Sequence, residues 1–108
     1  MADPGGTVAL TLAWPAGQEK VLHWRFEGGR PVAEGAGPVE EADVVLSAAG
    51  PDAESLLSGE VEPSVAYMRG RLKAAGDGAL LLAFLESTSG DRHEAWVERV
   101  RSLAAGGR

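Results

Sequence analysis

The sequence predicts an α+β domain, a mainly antiparallel sheet of about five strands covered on one face by helices. Three observations carry that prediction. Apolar residues alternate with a period of two through the first half of the chain. Glycines and prolines punctuate those runs at turn spacing, and the second half switches to helical stripes. At 108 residues, 44% of them hydrophobic and 24% charged, the chain makes one core and one domain, 1–108.

After a flexible, Gly/Pro-rich N-terminus (1–6), Thr7 to Trp14 places Val8, Leu10, Leu12 and Trp14 on one face of a strand. Pro15-Ala16-Gly17 makes a turn. Lys20 to Phe26 points Leu22, Trp24 and Phe26 inward and Val21, His23 and Arg25 outward. Gly28 and Gly29 supply the positive φ of a hairpin turn. Pro31 to Glu34 reads as an edge strand, since proline donates nothing to an interior ladder, and Gly35 to Pro38 as loop. Asp43 to Ser47 follows with Val44 and Leu46 inward, extending an antiparallel meander. Pro51 opens a short helix that Gly59 closes, and Pro63 another that Gly70 closes. Arg71 to Ala75 has room for a fifth strand, with Leu72 and Ala74 inward. Asp77 is placed to cap a helix over Gly78 to Thr88. Asp91 with Glu94 opens a C-terminal amphipathic helix (91–105), striped by Trp96, Val97, Val100, Leu103 and Ala104. The tail Gly106-Gly107-Arg108 is expected to fray.

Composition excludes several functions. There are no cysteines, so disulfides, thiolate metal sites and cysteine nucleophiles are absent. A net charge of −6 opposes nucleic-acid binding. The charge is uneven: residues up to Met68 carry a net −8 and those from Arg69 onward a net +2, so an anionic head group would favour the second half. No secretory signal opens the chain. The longest apolar run, Ala79 to Leu85, is too short to span a bilayer. A cytoplasmic location is the resulting expectation, and the Ala/Gly-rich composition suits a high-GC bacterium.

No catalytic or metal site emerges, and no cofactor is implied. His23 and His93 lack partners at metal-ligand spacing and read as idle surface imidazoles. Glu40 and Glu41 would face opposite ways on a strand, and capping accounts for Asp77. An enzyme using Asp43, Glu60 or Asp77 finds no base–nucleophile pair. The helix after Asp77 is different, because Ala79 to Leu85 is apolar around its whole circumference. A helix covering a sheet needs only a stripe, so the surplus face must meet the Trp96 stripe, a second subunit or a ligand. Leu56, Leu57, Val65 and Met68 add apolar surface, and the indole N–H groups of Trp14 and Trp24 will need partners.

Gly59-Glu60-Val61-Glu62-Pro63, Ala66, Gly70-Arg71-Leu72-Lys73 and Gly76-Asp77 resemble the signature of sterol carrier protein type-2 (sterol-transfer, SCP2-like) domains. That signature runs as a G-x-x-x-P break, a short helix, G-K/R-L-K and then G-D. Trp24-Arg25-Phe26-Glu27-Gly28-Gly29-Arg30 and Ala42-Asp43-Val44-Val45-Leu46-Ser47 are similar to its strand–turn and A-D segments, so the resemblance covers Val8 to Leu85. It implies a tunnel between sheet and helices that holds a sterol, fatty acid, acyl-CoA or similar lipid-like molecule, with no catalytic residues. The wall it implies is Trp24, Phe26, Leu57, Val65, Met68, Leu72, Leu81, Phe84 and Leu85. Arg69, Arg71 and Lys73 would meet an anionic head group. The family's usual leading helix is missing here, and the helix from Asp91 to Ala104 is the element available to replace it. No peroxisomal targeting tripeptide ends the chain. The alternative function is an interaction module, a homodimer through the same apolar face at Leu81 and Phe84.

Overall fold

The computed structural model describes residues 5–13 and 18–106. The expectations for residues 1–4, Trp14, the Pro15–Gly17 turn and the last two residues lie outside that range. Five strands form one sheet: β1 (Gly6–Ala13), β2 (Glu19–Glu27), β3 (Arg30–Ala36), β4 (Val44–Ala49) and β5 (Lys73–Gly76). Their order is β3-β2-β1-β4-β5.

Alternation builds this sheet as expected. Val8, Leu10 and Leu12 stand opposite Trp24, Leu22 and Lys20 on β2, and all the apolar members of that set are buried. Gly28 and Gly29 both take positive φ, 59° and 75°, and close a two-residue hairpin between Glu27 and Arg30. The order of the fourth strand differs from a meander. Instead of pairing with β3, β4 runs parallel to β1, setting Val44, Leu46 and Ala48 beside Val8, Leu10 and Leu12. Burial explains the choice. β3 carries Pro31 and is exposed along almost its whole length, so it makes an edge, whereas β4 buries its inward residues beside β1. The β2–β3 hairpin and residues 37–43 together form the crossover that a parallel pair requires.

Asp43 ties the centre of the sheet together. Its backbone N–H donates to the Thr7 carbonyl at 2.8 Å, and its carboxylate accepts from the Thr7 N–H at 2.8 Å. Its carbonyl accepts from the Asp77 N–H at 2.9 Å, just past the end of β5.

Four helices cover the inner face: α1 (Pro51–Ser58), α2 (Pro63–Met68), α3 (Gly78–Ser87) and α4 (His93–Gly106). Prolines start the first two. Asp77 caps α3, its side chain accepting from the N–H groups of Ala79 (2.9 Å) and Leu80 (3.2 Å). Asp77→Ala should cost about 1 kcal/mol and lower the melting temperature by about 4–8 °C, while Asp77→Asn keeps most of the stability; thermal circular dichroism reads both. The last helix begins later than its capping pattern suggests. A 3-10 turn over Gly90–Arg92 follows Ser89, so Asp91 sits inside that turn rather than capping α4.

Candidate functional site

The interior between sheet and helices is packed with apolar side chains. From the sheet come Leu22, Trp24, Phe26 and Leu46; from the helices come Leu56, Leu80, Phe84, Trp96 and Val100, all buried. Phe84 of α3 is the hub, with its ring centroid 5.3 Å from Trp24, 6.4 Å from Phe26 and 6.1 Å from Trp96. Trp24 and Trp96 lie 5.9 Å apart, and His93 stacks on Trp96 at 6.4 Å. Aromatic pairs at these distances contribute about 0.5–1.5 kcal/mol each beyond burial.

The Nε1 atoms of Trp24 and Trp96 and the Nε2 of His93 are buried and have no hydrogen-bond partner among the described residues. A buried unpaired donor costs about 1–3 kcal/mol, and buried indoles ordinarily find a partner. His93 is thus not an idle surface imidazole. His23, on the other sheet face, is engaged too: its Nδ1–H donates to the Gly37 carbonyl at 3.0 Å.

Five of the nine wall residues, Trp24, Phe26, Leu72, Phe84 and Leu85, come together in this interior. Leu57 and Leu81 pack against it half-buried. Val65 and Met68 point outward, Met68 being 82% exposed. The reason is geometric, since α2 turns Pro63 and Ala66, three residues apart, towards the core. Trp96 is the main participant that the sequence pattern did not place at the site. Its signal was present in the sequence, as the first apolar residue of the α4 stripe.

Arg69, Arg71 and Lys73 are all exposed. Arg71 pairs with Asp52 at 3.1 Å, and with Arg69 it lines a cleft of about 350 Å³ beside Glu60 and Val61. A larger cleft of about 570 Å³ opens where the start of β2 meets α1 and α4, between Lys20, Leu57, Arg101 and Ala104. The three acids considered for catalysis serve the scaffold. Asp43 and Asp77 make the contacts described above, and Glu60 accepts from the Ser55 hydroxyl at 3.1 Å. Among the described residues, no group of three or more His, Cys, Asp or Glu side chains is placed to hold a metal. No helix there is long and apolar enough to cross a membrane.

Residues 2–86 match the SCP-2 sterol transfer family. The chain belongs to that family. Solved structures agree on the fold. The palmitated sterol carrier protein 2-like 2 of Aedes aegypti is similar with a TM-score of 0.64 and 15% identity, over 82% of this chain and 76% of that one. A conserved hypothetical protein of Thermus thermophilus is 25% identical over 92% of this chain and 70% of its own, with a TM-score of 0.61. A crystal structure of sterol carrier protein 2 is 23% identical over 95% of this chain and 81% of its own, also at 0.61. No curated protein matches the chain. In this SCP-2 domain the A-D and G-D signature residues Asp43, Gly76 and Asp77 hold the strands and start α3 rather than line the interior. The match to the family ends before α4, so Trp96 and His93 lie beyond it.

Proposed function

We propose that this SCP-2 domain is a non-catalytic carrier that takes a sterol, fatty acid, fatty acyl-CoA or similar lipid-like molecule between the sheet and helices α3 and α4. The observation that carries this reading is the chemistry of the interior in a sterol-transfer family member. The interior is apolar and aromatic, and the carboxylates of Asp43, Glu60 and Asp77 are committed to backbone and hydroxyl hydrogen bonds. The aromatic cluster fills the interior, so uptake exchanges ring–ring contacts for ring–chain contacts. Burial drives that exchange at about 0.8 kcal/mol per methylene. A palmitoyl chain then supplies roughly 11 kcal/mol against association losses of about 4 kcal/mol or more, which places Kd near the micromolar range or weaker. Where the ligand carries anionic groups beyond its acyl carbonyl, as the phosphates of an acyl-CoA do, exposed Arg69, Arg71 and Lys73 remain the proposed contacts for them.

Solvent extraction of the purified protein followed by mass spectrometry tests the reading, together with titration by a fluorescent fatty acid. A co-purifying lipid, or saturable quenching of tryptophan emission, is the expected result. No lipid and no response to fatty acid, sterol or acyl-CoA would overturn it.

A further inference from the structure

We propose that the indole N–H groups of Trp24 and Trp96 recognise a hydrogen-bond acceptor on the ligand, so that the preferred cargo carries a carbonyl or carboxylate oxygen into the aromatic cluster. This inference rests on the carrier reading and narrows its ligand class. It begins from buried donors: each of the two tryptophans keeps only 2% of its surface exposed, and neither Nε1 has an acceptor among the described residues. The rings lie 5.9 Å apart, and His93, whose buried Nε2 is also unpartnered, stacks on Trp96. The three residues that carry these atoms therefore belong to one contiguous cluster in an otherwise apolar interior.

The chemistry of the donors sets the chemistry of the partner. An indole N–H donates and never accepts, so two indoles call for lone pairs. His93 Nε2 adapts to either role through its tautomer. A plain hydrocarbon would fill the same volume and leave both donors unpaired. A ligand that brings an acceptor satisfies them at the point where water is excluded and the bond is strongest. Asymmetry in sequence fits this division of labour. Trp24 lies within the segment that matches the family and Trp96 beyond it, on α4, so the site is completed only when α4 docks on β2.

Dodecanoic acid, methyl dodecanoate and dodecane share a chain and differ in the acceptor, and the ester carries no charge for Lys20, Arg101 or Arg69 to attract. The proposal expects both oxygen-bearing ligands to bind about tenfold or more tighter than dodecane, equivalent to about 1.4 kcal/mol. Indole proton resonances of ¹⁵N-labelled protein, assigned with Trp24→Phe and Trp96→Phe, should move downfield with the acid and the ester and stay in place with dodecane. Each Phe variant keeps an aromatic ring and removes one donor; with its fold verified by circular dichroism, it should shrink the preference for the ester. Equal affinity for all three ligands, or binding with unmoved indole resonances, would overturn the proposal and leave the carrier reading standing. Failure of all three to bind would overturn the proposal, and the carrier reading falls with it only where sterol and acyl-CoA also fail to bind.

Discussion

Gly76→Ala should lower the melting temperature by more than about 10 °C. Gly76 ends β5 with φ at 128°, a conformation that L side chains rarely adopt, which alone costs about 1–3 kcal/mol. A Cβ there would also overlap the Asp43 carbonyl oxygen and come within 2.8 Å of the Val44 Cα. Both of those atoms are backbone, and Asp43 is fixed by its bonds to Thr7 and Asp77, so neither can step aside cheaply. A loss of about 3 kcal/mol, at about 4–8 °C per kcal/mol for a domain of this size, gives the expected shift. Gly78→Ala is the control. Gly78 is the first residue of α3, and a Cβ there meets nothing within 4 Å, so this variant should melt at the same or a higher temperature. A Gly76→Ala protein as stable as the parent would contradict the tight β4–β5 junction.

Phe84→Ala removes the hub of the aromatic cluster and should destabilise the fold by about 3–5 kcal/mol. The side chain is 1% exposed and meets Trp24, Phe26 and Trp96, so nothing nearby is free to collapse into the space it leaves. Urea denaturation reads this as a lower midpoint with an unchanged slope. Phe84→Leu, which keeps most of the volume, should lose clearly less. That difference stays measurable even where the alanine variant is largely unfolded. A loss below about 1 kcal/mol for the alanine variant would mean that α3 does not pack on the sheet through this ring.

What was legible in the sequence followed from period and punctuation. Val8, Leu10, Leu12, Leu22, Trp24, Phe26, Val44 and Leu46 were readable as one buried face because strands alternate with period two whatever their neighbours. For the same reason the pattern carried no information about strand order. Antiparallel and parallel partners ask the same alternation of β4, and its place beside β1 follows from burial that only the assembled sheet displays. The apolar circumference of α3 was visible, and the structure divides it: Leu80, Phe84 and Leu85 go inward, and Leu82 stays 66% exposed. Trp96 meets α3 at Phe84, so the α4 stripe takes up part of the surplus face. Val65 and Met68 misled because hydrophobicity does not orient a helix of six residues. The missing hydrogen-bond partners of Trp96 and His93 depend on contacts between β2, α3 and α4 that no linear spacing encodes.

Intermolecular nuclear Overhauser effects from a ¹³C-labelled fatty acid test the carrier account most directly. The carrier account predicts contacts from the acyl chain to the rings of Trp24 and Phe84 and to the methyl groups of Leu72 and Leu85. Contacts confined to surface clefts, such as that of Leu57 and Ala104, or none at all, would contradict it.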